Sequence, residues 1–210
     1  MPRTLILGTR NRKKLGELQE LLAPHGFVLR TLDDFSQALE VEETGASFAA
    51  NAALKATLQA KQLGAWVLGE DSGLVVDALD GAPGIYSARF SGPGATDAKN
   101  NAELLRRMAA IPLERRTAHY VCHAALADPQ GVVRAESEDY CQGRILLAES
   151  GAGGFGYDPL FEIVEYHLTF GELSPAVKTV LSHRARAIRA IIPQLLSLVR
   201  RGEWPQLGVK

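Results

Sequence analysis

Apolar and polar positions along the chain switch between two periods, and the switches divide it into elements. Thr4–Leu7 is a short apolar run ending at Gly8, read as a buried first strand. Leu15, Leu18, Leu21 and Leu22 then recur at helical spacing until Pro24 and Gly26 stop them. Phe27–Thr31 predicts a second strand. A long helix is expected from a cap at or beside Ser47, carrying Phe48, Ala52, Leu54, Leu58 and Leu63 to a stop at Gly64. Trp66–Leu68 and Leu74–Val76 read as two strands, with Gly69-Glu70-Asp71-Ser72-Gly73 as the polar stretch between them.

A further helix starts at Thr96 or Asp97 and turns Leu104, Leu105 and Met108 inward. Thr117–Ala127 alternates, with Ala118, Tyr120, Cys122, Ala124 and Leu126 on one face and Thr117, His119 and His123 opposite. Asp128-Pro129-Gln130-Gly131 is a turn signal, so Val132–Tyr140 is expected to pair back as a hairpin. That hairpin interrupts the strand–helix alternation and predicts an α/β fold with a mixed sheet and a second lobe. The last helix begins near Lys178, presents Ala185, Ile188, Ile192, Leu195, Leu196 and Val199 to the core, and is expected to kink or split at Pro193. No repeat and no glycine–serine linker appears, so residues 1–210 read as a single domain of two lobes.

Composition narrows the function. The 210 residues are 46% apolar and 22% charged, enough for a substantial core and without the signature of disorder. A net charge of -1 provides no global field for nucleic acid, so an anionic ligand must be met by local clusters. The N-terminal apolar run is too short for a signal peptide or a membrane span, and a cytoplasmic protein with no membrane partner is expected. Cys122 and Cys141 make neither a disulfide framework nor a metal motif. Cys122 lies on the apolar face of its strand and reads as packing, and His119 and His123 read as surface or interface histidines.

The candidate chemistry sits where periods change. Arg10, Arg12, Lys13 and Lys14, with Thr9 and Asn11, occupy a strand-to-helix turn, where free N–H groups and the helix dipole favour an anion. Cations are disfavoured at a helix N-terminus unless something negative binds, so phosphate binding competes with a solvated first turn. The stretch lacks the second glycine and the Gly-Lys-Ser/Thr of a Walker A loop, and it lacks the Gly-x-Gly-x-x-Gly of a dinucleotide fold. Glu42 and Glu43 precede the long helix and read either as dipole partners or as ligands. Asn51 and Lys55, four apart, share a face of that helix. Glu70 and Asp71 are strand neighbours, so one of them at most faces a given pocket easily. Gly151–Pro159 presents Phe155 and Tyr157 from glycine-rich backbone, suited to stacking on a planar ligand or to an aromatic-anchored turn. Lys178, His183 and Arg184 form a last basic group. Together the basic clusters suit a polyphosphate, Asp71 with Glu42 or Glu43 suits the magnesium it carries, and Phe155 suits a base. The composite is a nucleoside triphosphate site.

These residues resemble the inosine triphosphate pyrophosphatase family nearly end to end. The resemblance rests on Thr9-x-Asn11-x-x-Lys14, Glu42-Glu43-Thr44-Gly45, Asn51-Ala52-x-Leu54-Lys55-Ala56, Glu70-Asp71-Ser72-Gly73-Leu74, Gly81–Arg89, Gly153–Pro159 and Ser182-His183-Arg184. It implies an elongated two-lobed α/β fold around a central cleft, a homodimer, and hydrolysis of inosine and xanthosine triphosphates with Mg2+. It also implies roles. Thr9, Arg10, Asn11, Arg12, Lys13 and Lys14 hold phosphates, with Lys55 beside them. Asp71 is the base and a metal ligand, and Glu42 is a further metal ligand. Ser72, Phe155, Gly156, Tyr157, Asp158, Lys178, His183 and Arg184 contact substrate, the later ones around the base. Two alternatives are a Maf-type pyrophosphatase for pyrimidine or modified nucleotides and a nucleotide-binding regulator without hydrolysis. The Phe155 loop and Ser182-His183-Arg184 weigh against the first, and intact Asp71, Glu42 and Lys14 against the second.

Overall fold

A computed structural model describes residues 3–204. A seven-stranded sheet runs in the order β2-β1-β3-β4-β5-β6-β7. Its strands are β1 (Arg3–Leu7), β2 (Phe27–Thr31), β3 (Val67–Val76), β4 (Thr117–Ala127), β5 (Val133–Ile145), β6 (Phe161–Ile163) and β7 (Leu168–Thr169). β1 runs parallel to β2 and β3, whereas β5, β6 and β7 pair antiparallel, so the sheet is mixed as the hairpin signal predicts. The helices are α1 (Arg12–Leu22), α2 (Phe48–Leu63), α3 (Asp97–Arg107), α4 (Pro175–Leu181) and α5 (His183–Arg200). None of the described helices is long and apolar enough to cross a membrane.

The chain divides into two compact units. The first holds the residues up to Asp71, Cys122–Asp139 and those from Arg184 onward; the second holds Ser72–Val121 and Tyr140–His183. In the first unit, strand alternation sends Leu5 and Leu7 to one face of β1 and Ile6 to the other. Leu5, Leu7 and Leu68 pack with Leu15, Leu18 and Leu22 of α1 and with Ile188, Ile191 and Leu195 of α5. Ile6, Val67, Ala125 and Ala127 pack with Ala52, Ala56 and Ala60 of α2. In the second unit, Leu74, Val76, Tyr120, Ile145, Phe161 and Phe170 close a core with Leu104 of α3.

Several expectations are corrected. Gly69–Gly73 does not separate two strands: it lies inside the continuous strand β3, and neither glycine has positive φ. Gly69 answers a different need. A Cβ there would come within 2.5 Å of the Ala52 carbonyl oxygen and 2.7 Å of the Ala56 nitrogen. The three fully buried alanines of α2 let the helix approach that closely. Gly69→Ala should therefore push α2 off β3, at a cost of about 1–3 kcal/mol in urea unfolding.

The last helical segment breaks at Ser182, whose ψ of 149° is extended, and α5 runs through Pro193 without splitting. β5 is longer than expected, reaching Ile145. β4 is buried on both faces, because Ala124 and Leu126 join one core layer while Ala125 and Ala127 join the other. His123 is accordingly buried rather than on the surface, with Nδ1 3.2 Å from Glu138 and Nε2 3.4 Å from Glu136. Both cysteines are free and buried.

Candidate functional site

The turn after β1 is built by its own side chains. The Thr9 hydroxyl accepts from the Asn11 N–H at 3.1 Å, and Asn11 Oδ1 accepts from the N–H groups of Lys13 and Lys14 at 3.1 and 3.4 Å. Asn11 is thus the N-cap of α1, and its carbonyl satisfies two of the donors an anion would seek. The basic cluster separates into different tasks. Arg10 donates to the carbonyls of Ala38 and Leu39 at 3.2 and 3.5 Å and lies 3.6 Å from Asp33, tying down the loop after β2. Arg12 and Lys13 are exposed. Lys14 turns inward to Glu70 Oε1 at 2.6 Å.

Glu70 and Asp71 take separate partners, as strand neighbours should. Glu70 is 2% exposed and accepts from Arg184 Nε at 3.3 Å, from Cys122 at 3.5 Å and from Lys14. Arg184, itself 2% exposed, reaches on to Glu17 at 2.5 Å. Burial alone would raise the Glu70 carboxyl, but Lys14, Arg184 and Lys55 hold it well below its ordinary value. The same carboxylate joins burial in raising the Cys122 thiol, so that cysteine is inert packing.

Asp71 is 5% exposed, with Oδ1 2.9 Å from the Lys55 ammonium and Oδ2 accepting from Asn51 Nδ2 at 3.2 Å. Here desolvation wins: it raises the carboxyl against the pull of Lys55, with Glu43 adding to the rise. Lys55 Nζ also contacts Glu43 Oε1 at 2.6 Å and the Glu70 carbonyl at 3.2 Å. Burial works to lower the Lys55 ammonium, but Asp71, Glu70 and Glu43 carry it above its ordinary value.

The second unit holds a different group. Asp158 Oδ2 accepts from the Phe155 N–H at 2.8 Å and from Lys178 at 2.7 Å. The Lys178 ammonium stands 4.4 Å from the centre of the Phe155 ring, a cation–π contact. Gly154 has φ of 72° and leaves no room for a Cβ beside the Asp158 carboxylate. The Gly156 N–H donates to Asp97 at 2.9 Å. Tyr157 is not presented with Phe155: it is buried in the core and its hydroxyl donates to the Ser87 carbonyl at 2.8 Å. His183 is buried and stacks on Tyr120 with ring centres 4.6 Å apart. Ser72 is half-buried on β3. Arg184, expected with the base-contacting residues, takes its partners from the first unit through Glu70 and Glu17.

No group of three or more His, Cys, Asp or Glu side chains among the described residues is gathered for a metal. The donor chemistry still fits magnesium, an ion that takes one or two carboxylates and fills its shell with water and phosphate oxygen. Glu43 and Asp71 already share one cation, the Lys55 ammonium. Glu42 is exposed on the same loop.

Comparison with known proteins places this geometry. A family model described as the Ham1 family matches residues 5–194. The chain belongs to the Ham1 family. A Rhodopirellula baltica protein named dITP/XTP pyrophosphatase is 55% identical, over 93% of this chain and 94% of its own. One of the same name from Desulforamulus reducens is 46% identical, over 88% and 92%. Among solved structures, a HAM1 protein from Coxiella burnetii aligns with a TM-score of 0.84 and 34% identity, over 95% of this chain and 99% of that one. A nucleoside-triphosphatase / dITP/XTP pyrophosphatase from Mycobacterium abscessus aligns at 0.74 and 42%, over 91% and 99%.

Within this Ham1-family chain, sequence reading missed Glu17, which looks like an ordinary polar position on the first helix. No local spacing signals it, because its partner Arg184 lies 167 positions along the chain.

Proposed function

We propose that the chain hydrolyses non-standard purine nucleoside triphosphates, those of inosine and xanthosine, to the monophosphate and pyrophosphate. The observation that carries this reading is Asp71, a buried carboxylate raised by its surroundings and held between Lys55 and Asn51. The name dITP/XTP pyrophosphatase, carried by relatives 55% and 46% identical, supports the same substrate class.

Lys14 and Lys55 of the first unit neutralise phosphate charge, and Asp71 orients the water that attacks the α-phosphorus. The new P–O bond forms to that water as its proton passes to Asp71, the bond to the oxygen between the α- and β-phosphorus breaks with its electron pair leaving on pyrophosphate, and Lys14 and Lys55 neutralise that charge. Asp71 with Glu42 or Glu43 would hold magnesium, which would supply Lewis-acid stabilisation of the phosphate charge. In the second unit, Phe155 offers a ring to the base, and Lys178 is a donor suited to an oxygen at the purine 6-position. Adenine presents an amino group there and would leave buried donors unpaired, which a hydrogen-bonding site rejects strongly. A homodimer belongs to the same reading.

A panel of triphosphates incubated with the protein and magnesium tests it by separation of products. Monophosphate plus pyrophosphate should form from inosine triphosphate at a kcat/KM at least about 100-fold above that for ATP. Orthophosphate with a diphosphate would contradict attack at the α-phosphorus. Preference for pyrimidine nucleotides would favour the Maf-type alternative.

A further inference from the structure

We infer that Asn51 is a positioning residue whose single amide ties the acidic loop Glu42–Gly45 to Asp71 and so fixes the spacing of Glu43 and Asp71. The inference rests on the functional reading above only where activity is its readout.

Asn51 lies in the first turn of α2 and is fully buried. Its two amide atoms do opposite work on two elements. Oδ1 accepts from the Gly45 N–H at 2.8 Å, and Nδ2 donates to Asp71 Oδ2 at 3.2 Å. A backbone N–H only donates and an ionised carboxylate only accepts, so the amide has one orientation that satisfies both. Neither aspartate nor leucine, similar in size, can replace it: one lacks the donor and the other lacks both groups.

Gly45 gives independent support. A Cβ there would stand 2.6 Å from Asn51 Oδ1 and 2.7 Å from the Ala50 Cβ, although Gly45 is not among the positive-φ residues. Glycine is required there by proximity to Asn51 rather than by backbone conformation. The other end of the loop is fixed as well. Buried Gln59 accepts from the Leu39 N–H at 3.1 Å and donates to the Leu39 carbonyl at 2.7 Å. Anchors at Leu39 and Gly45 therefore bracket Glu42 and Glu43. One turn beyond Asn51, the Lys55 ammonium lies between Glu43 and Asp71, at 2.6 and 2.9 Å. The separation of those carboxylates is what a divalent cation shared by them would meet.

Asn51→Leu, Gly45→Ala and the double variant test this, each first checked for a cooperative thermal transition. Mn2+ is the probe, its affinity read by water-proton relaxation with a non-hydrolysable inosine triphosphate analogue present. Asn51→Leu should weaken Mn2+ binding about tenfold and lower kcat by about tenfold or more, with KM for inosine triphosphate within about twofold. Gly45→Ala should give the same split. The double variant should be no worse than the poorer single, because both changes cut one connection. Where Asn51→Leu fails to fold, Gly45→Ala decides, since it leaves the amide in place. Folded single variants with wild-type kcat and Mn2+ affinity, or losses that multiply in the double variant, would overturn the inference. Should the wild type release no pyrophosphate from inosine triphosphate, the functional reading falls, and the Mn2+ arm still decides the role of Asn51.

Discussion

Asp71→Asn should abolish turnover, lowering kcat by about 100- to 10,000-fold, while the protein stays folded. The amide keeps the shape of the carboxylate and loses its charge, so it can neither orient an attacking water as an acceptor pair nor share a cation with Glu43. Stability should move the other way. The Asp71 carboxyl is raised above its ordinary value of 3.8, chiefly by burial. A raised acid binds its proton more tightly in the folded chain than in the unfolded one. Stability then falls as pH climbs from 3.8 through the folded value, above which the whole cost is present. With magnesium chelated, Asp71→Asn should therefore melt at or above the wild-type temperature. A stable, inactive variant would identify Asp71 as a group retained for chemistry at the expense of stability. Full activity in Asp71→Asn would remove it from the mechanism, and a large fall in melting temperature would reassign it to architecture.

Periodicity made most of the fold legible. The helices over Leu15–Leu22 and Phe48–Leu63 and the caps at Ser47 and Thr96 all follow from spacing and cap chemistry. The failures have a common cause, which is a local signal overridden by packing. Gly69-Glu70-Asp71-Ser72-Gly73 has the composition of a turn, but α2 presses on Gly69, and the two acids find half-buried cations that let them remain in a strand. Tyr157 sits among flexible glycines like Phe155, yet a core and the Ser87 carbonyl claim it. Pro193 is tolerated inside α5, while the real break falls at Ser182, a residue type that favours helix boundaries and directly precedes α5.

The candidate site was legible as a set of residue types and less so as a set of pairings. A cluster such as Arg10-Asn11-Arg12-Lys13-Lys14 looks like one phosphate grip in one dimension. In three dimensions Arg10 braces a loop, Asn11 caps a helix, and Lys14 alone is drawn inward by Glu70. Long-range partners decide these roles, and they lie dozens of residues away. Glu17 and Arg184 are 167 positions apart, a pairing that no local pattern encodes.

The largest effect on stability is expected at Glu70, which also pairs with Arg184. Glu70→Gln should destabilise the fold by about 3–5 kcal/mol, because it strips the carboxylate from two cations, the half-buried Lys14 and the buried Arg184. The sign of the pH dependence follows from the direction of the shift. Glu70 is held well below its ordinary 4.5, so its contribution is complete above pH 4.5 and drains away as pH falls beneath that value. Urea unfolding between pH 3 and 7 should show the wild type losing stability on the acid side more steeply than Glu70→Gln, so that the two converge as pH falls. A constant offset across that range would mean that the lost charge is not what costs the variant its stability. Glu70 and Asp71 then stand as adjacent acids driven apart by environment. One is pulled down by three cations and holds Lys14 and Arg184 in place; the other is pushed up by desolvation and is held by Lys55 and Asn51. Glu70→Gln should accordingly lose activity through displacement of Lys14, as a rise in KM for the triphosphate, where Asp71→Asn loses it in kcat.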